Sequence, residues 1–214
     1  MAQLADTSTH LDVQRTGAFA GLAAGPLFLT AVAANTWASL DFLHGHGWRL
    51  VGGTDIPWPS SLAAGLHGWV QIANFLLAGV LMVLFAAGLR RGLPARPAST
   101  VAVGLVALAG AAIAASAFPV DATMIDTGDP STWHGWIHGL AFLVVLPAIL
   151  AAPVATALAV RGDTRWRPLG RVCLAATPAM ITLLAVPLGN AGFFLFLAVA
   201  FGWIAAVAAR LQHV

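Results

Sequence analysis

The chain has no lysine and no glutamate among its 214 residues, and a single cysteine. All of its charge rests on ten Arg and eight Asp, 8% of the residues. A soluble domain carries about 25% charged residues, so a water-facing surface cannot be assembled from this set. One cysteine excludes a disulfide framework and a cysteine-rich metal site. Disorder is excluded by the opposite imbalance, since it needs low hydrophobicity and high charge. What is present is apolar: 59% hydrophobic residues and a mean hydropathy of +0.86. These numbers leave an integral membrane protein. The isoelectric point near 10.0 comes from Arg without Lys. It reads as a topology signal rather than a nucleic-acid surface, so no nucleic-acid partner is expected.

The few charges divide the chain into apolar runs. With about 20 residues needed per crossing, the sequence predicts an all-α bundle of six transmembrane helices in one integral membrane domain over residues 1–214. The spans fall roughly at 17–40, 66–89, 98–120, 134–160, 172–188 and 192–209. The last two come from one long run, divided at the turn-type cluster Pro187-Leu188-Gly189-Asn190-Ala191-Gly192. The competing reading is one long tilted helix plus a re-entrant piece. Ala31-Val32-Ala33 matches a leader-cleavage pattern, but the apolar run is too long for a leader core and a retained helix is expected. A lipid-facing barrel would alternate apolar and polar residues, and these runs do not.

Arg placement sets the expected orientation. Arg15, Arg90, Arg91, Arg96, Arg161, Arg165, Arg167, Arg171 and Arg210, nine of ten, fall on one side of a six-span chain. That side, with both termini, should be cytoplasmic in a plasma membrane. Asp41, Asp55, Asp121, Asp126 and Asp129 fall on the other side, with only Arg49 among the arginines.

The outer side also gathers His44, His46, His67, His134 and His138, and Trp37, Trp48, Trp58, Trp69, Trp133 and Trp136. An aromatic belt occupies both faces of a bilayer, so the bias to one face is more than a belt requires. Two stretches match at an offset of 67 residues: His67-Gly68-Trp69-Val70 with Phe75-Leu76, and His134-Gly135-Trp136-Ile137 with Phe142-Leu143. They suggest a parallel repeat of hairpins 1–2 and 3–4. Interface anchoring by Trp and close packing by Gly would explain the match without a site.

Three chemical readings follow. Asp121, just beyond span 3, would be a general acid if desolvation raised its pKa, with Trp and Phe faces stabilising a developing cation. His138 and His134 would orient it or hold substrate. His67 and Asp55 would be their counterparts in the other copy, with Trp69, Trp136, Gln71 and Asn74 lining the same cavity. This describes an acid-catalysed enzyme acting on a lipid or isoprenoid and needing no cofactor. Alternatively, His134 and His138, four apart on one helix face, would hold a divalent metal with His67 or Asp121 and make a lipid hydrolase. The third class is a non-catalytic sensor or partner protein, since His titrates near neutrality. Asp129-Pro130 reads as a helix cap followed by a first-turn proline. Pro147, Pro153, Pro178 and Pro187 fall in spans 4 and 5, where proline frees carbonyls beside cavities.

Trp58-Pro59-Ser60-Ser61-Leu62, Gly65, Gly68, Gln71, Asn74-Phe75, Gly79 and Gly88-Leu89-Arg90-Arg91, with Phe118-Pro119-Val120-Asp121 and His134-Gly135-Trp136-Ile137-His138, resemble the bacterial and archaeal six-span proteins of domain-of-unknown-function family 998. The resemblance covers roughly residues 15–211. It implies six helices and a bacterial plasma membrane, and no established activity. It also implies a Gln-Arg pair at the outer start of the last helix, where this chain has Gly192-Phe193-Phe194-Leu195. Ser60, Ser61, Asp121, His134 and His138 are also similar, by analogy alone, to the residue set of membrane ceramidase-like hydrolases, which have another span count.

Overall fold

The computed structural model describes residues 2–54 and 56–214, with side chains from Asp12 onward. Asp55, one of the expected site residues, lies outside the described residues. Eight α-helices follow in chain order: α1 (Ala2–Ala38), α2 (Leu40–Gly45), α3 (Gly68–Gly92), α4 (Pro97–Ala115), α5 (Ala122–Thr127), α6 (Trp133–Ala159), α7 (Arg167–Ala185) and α8 (Asn190–Leu211). Short 3₁₀ turns occupy Ser60–Ala64 and Thr164–Trp166. Among the described residues the only bridge of β type joins Trp48 to Gly53.

Six stretches are long and apolar enough to cross a bilayer: Asp12–Ala38, Gly68–Gly92, Pro97–Ala115, Trp133–Ala159, Thr164–Ala185 and Asn190–Leu211. The chain is therefore a multi-pass membrane protein. Its surface agrees, since Leu76, Leu77, Val80, Leu140, Leu143, Leu174 and Ile181 are exposed, a display that only lipid tolerates at this scale. The long run after residue 172 is two helices. The chain leaves α7 at Val186, and Gly189 takes φ +59°, a left-handed value that glycine adopts without strain. The end of the third span, the Asp129-Pro130 cap and the start of the fifth span, at Arg167, differ from expectation. The third span ends at Ala115, because residues 116–121 turn away to start α5. The fourth starts at Trp133 with Thr132 as its cap, accepting from the Gly135 amide. Asp129-Pro130 lies outside it.

The spans pack as a ring, α1 on α3, α3 on α4, α4 on α6, α6 on α7, α7 on α8, and α8 back on α1. Small residues set the closest approaches. A Cβ on Gly17 would lie 2.5 Å from the Cα of Gly88, so α1 and α3 meet backbone to backbone, as membrane helices do through glycine. Six antiparallel spans bring both termini to one end, the terminal end. There Arg96 donates to the carbonyls of Ala159 and Arg161, so one arginine satisfies orphan carbonyls where α6 stops. Gln14 donates to the carbonyls of Leu211 and Val214, at 2.9 and 3.0 Å. The opposite loop end carries α2, α5 and the 46–67 segment.

Candidate functional site

Inside the ring, toward the loop end, lies a cavity of about 510 Å³, within the ~300–1,000 Å³ range of small-molecule pockets. One face of α6 lines it with His138, Gly139, Phe142, Val145, Leu146 and Ile149. One face of α8 does the same with Phe193, Phe196, Leu197, Ala200, Phe201 and Ile204. Both sets recur at three and four residues, the period of a helix face. At 1.5 Å per residue the α8 face, Phe193 to Ile204, runs about 17 Å into the bundle. Phe28 of α1 and Phe75 of α3 close the back, their ring centroids 5.9 Å apart. Residues 56–60, Met124 of α5 and Gly189–Asn190 cover the loop end.

The walls are aromatic and aliphatic, with few polar groups. His138 is 3% exposed, and its Nδ1 lies 2.8 Å from the Phe118 carbonyl. A carbonyl only accepts, so Nδ1 carries the proton and Nε2 is left with a lone pair. Phe75 meets the imidazole edge-on, 6.0 Å between centroids. Ser116 Oγ donates to the Ala112 carbonyl at 3.0 Å. Asn190 Nδ2 donates to the Arg49 carbonyl at 2.8 Å, which ties the 46–54 loop over the start of α8. Trp58 Nε1 donates to Thr36 at 3.2 Å. Phe142 on α6 and Leu184 on α7 are exposed as well as lining the cavity. The gap between those two helices is thus open near the loop end, while farther in Thr177 of α7 donates to the Leu150 carbonyl of α6.

Of the expected site residues that are described, His138 alone lines this cavity. Asp121 caps α5. Its Oδ1 accepts from the Met124 amide at 2.8 Å. Its Oδ2 accepts from the Ser131 amide (2.9 Å), the Thr132 amide (3.0 Å) and the Thr132 hydroxyl (2.8 Å). The Met124 amide first, then the Thr132 hydroxyl and the two further amides, hold the carboxyl well below the ordinary aspartate value, and partial desolvation does not outweigh them. The raised pKa expected of a general acid is thereby corrected. Asp121 is an ionised staple between α5 and α6.

His134 is the second staple. Its Nδ1 lies 2.9 Å from the Pro119 carbonyl. The i, i+4 pair on α6 thus grips two successive carbonyls, those of Phe118 and Pro119, freed where α4 has ended. Spacing that suits a metal serves here to hold backbone. Among the described residues no three His, Cys or Asp side chains come together in a metal-sized group. His67 is exposed, one residue before α3, and Trp69 and Trp136 are exposed at 70% and 58%. The two His-Gly-Trp copies therefore share interface tryptophans but not their histidine contacts, and the repeat is not confirmed. Their glycines are needed for different reasons. A Cβ on Gly68 would strike the Ala63 carbonyl, and one on Gly135 would strike Asp121 Oδ2.

Gln71 and Asn74 are buried, but between helices rather than on the cavity wall. Asn74 donates to the Phe28 carbonyl at 3.2 Å and to Gln71 Oε1 at 3.3 Å. Gln71 Nε2, Asn35 Nδ2 and Ser61 Oγ are buried with no partner among the described residues. Sequence reasoning missed most of the wall: Phe28, Trp58, Ser116, Asn190, Phe193, Phe196 and Phe201. The spacing 193, 196, 200, 201, 204 on the last helix marks one helix face, but not whether that face meets lipid, a neighbour or a cavity. Phe193, in the stretch that departs from the Gln-Arg pattern, faces the cavity, and Phe194 packs 6.2 Å from Trp58.

Compared with known families, residues 59–211 match the family described as "Protein of unknown function (DUF998)". No curated protein and no solved structure matches the chain.

Proposed function

The chain belongs to the DUF998 family, and from that premise we propose that it binds a single-chain lipid or isoprenoid in the cavity between α6 and α8. The observation that carries this reading is a deep apolar chamber with one buried imidazole in its wall, held through Nδ1 by the Phe118 carbonyl. An apolar chain gains about 25 cal/mol per Å² on leaving water, and aromatic walls pack against it without polar competition. Entry from the bilayer uses the opening between α6 and α7, where Phe142 and Leu184 are exposed. The polar head then rests near His138, under the loop end. The terminal end, with nine of the ten arginines, faces the cytoplasm by the positive-inside rule, and the chamber opens toward the other face of the plasma membrane.

In a catalytic form of this reading His138 Nε2 takes a proton, because Nδ1 is bound to a carbonyl and Asp121 is held ionised. The aromatic wall of Phe28, Phe75, Phe201, Trp58 and Phe193 favours a second reading, stabilisation of a cationic isoprenoid intermediate. Incubation with candidate isoprenoids, followed by product analysis, separates binding from turnover.

The test of the main reading is organic extraction and mass spectrometry of purified protein against Gly139→Phe, which places a ring in the chamber. Wild type should carry about one chain-like lipid per protein and the variant much less. Equal lipid profiles from the two proteins would sink the reading.

A further inference from the structure

Resting on the chamber as a lipid site, we infer that the ligand's head is an uncharged hydrogen-bond donor, a hydroxyl on a long or isoprenoid chain, and not a phosphate or diphosphate. The polar groups of the wall are few and uncharged, and His138, Ser116 and Asn190 each give an N–H or O–H to a backbone carbonyl. His138 spends its N–H on the Phe118 carbonyl and presents a lone pair. Ser116 spends its only O–H on the Ala112 carbonyl and keeps acceptor capacity. Asn190 gives one N–H to the Arg49 carbonyl and keeps both a second N–H and its carbonyl oxygen. These side chains line a cavity that contains no Arg among its described lining residues.

An anionic phosphate there would find no cation among the described lining residues to offset its desolvation. An ammonium head would find acceptors, but the described wall holds no Asp to balance a buried charge. A hydroxyl donates its proton to His138 Nε2 and leaves no charge in the apolar interior.

The inference is tested by titrating detergent-purified wild-type protein with four probes and following the tryptophan fluorescence, since Trp58 lines the chamber. The probes are farnesol, dodecanol, farnesyl methyl ether and farnesyl diphosphate. Farnesol or dodecanol should bind, and the two distinguish an isoprenoid from a straight chain. The ether, with the same chain and no donor, should bind about tenfold more weakly than farnesol, the loss of one hydrogen bond. The diphosphate should bind more weakly still. In His138→Leu the gap between farnesol and its ether should close. Ether binding equal to farnesol in wild type, or diphosphate binding as tight as the alcohol, overturns the hydroxyl inference and leaves the chamber reading standing. Failure of all four probes, with the same lipid profile in Gly139→Phe as in wild type, removes the chamber reading and this inference with it. The comparison of alcohol with ether needs no variant, so a poorly folded His138→Leu does not decide the matter.

Discussion

At His138 the governing fact is which nitrogen is already used. The same bond pattern at His134 gives a different outcome, because its neighbourhood is the turn between α5 and α6 and not the chamber. His134→Ala should therefore lower thermal stability, by about 1 kcal/mol for one net hydrogen bond, and leave farnesol binding unchanged. A metal-ligand role would show the reverse: metal loss on elemental analysis with binding affected. Asp121 makes a pH prediction. Its folded pKa lies below the ordinary 3.8, so its contribution is complete above that value and is lost as pH falls below it. Asp121→Asn should lower the Tm at neutral pH, and the deficit should shrink as wild type is acidified below about pH 4. A deficit that stays constant down to acid pH would show that the charge contributes nothing. Ser61 is the converse case, a fully buried hydroxyl without a partner among the described residues. Ser61→Ala should be neutral or slightly stabilising in a thermal melt, because no hydrogen bond is lost.

Helices in this protein are recognised by length and interrupted by chemistry. Gly189 ends any continuation of α7 into α8 by its left-handed backbone, and the turn-type cluster announced that break. The α1–α3 contact depends on having no side chain at two facing positions. Gly88→Leu should force these helices apart and cost about 1–3 kcal/mol or more, as overpacking does; a melt that matches wild type would contradict the backbone contact between Gly17 and Gly88. The two short helices α2 and α5 were not legible in the sequence. They lie across the loop end, joined by His46 Nδ1 and Asp126 Oδ1 at 2.9 Å, and their few turns leave no periodic signal. The chamber faces of α6 and α8 were hidden for another reason. A membrane helix is apolar toward lipid, toward neighbours and toward a cavity alike, so hydrophobic periodicity cannot tell which face is which.

For the whole molecule, the even number of spans puts the termini together. Reporter tags on the N- and C-termini should both be active only in the cytoplasm, and a tag inserted at Gly52, in the loop near Arg49, should be active only outside. Opposite compartments for the two termini would refute the six-span arrangement. Composition alone was enough for class and crossing number, because a chain with eighteen charged residues in 214 has no soluble solution and lipid demands uninterrupted apolar helices. The ends of those helices and the cluster of polar residues near one face were visible for the same reason: charge is excluded from hydrocarbon and must appear where the chain emerges. Which of those polar residues form a site was decided only in three dimensions. Asp121, His134 and His138 are alike in the sequence, near one another and near a span. The fold ties all three to backbone groups and places only His138 on the wall of a cavity whose far wall comes from α8, more than fifty residues away. Contacts at that separation leave no mark on local sequence, since each wall residue is an ordinary apolar residue until the ring of helices closes around it.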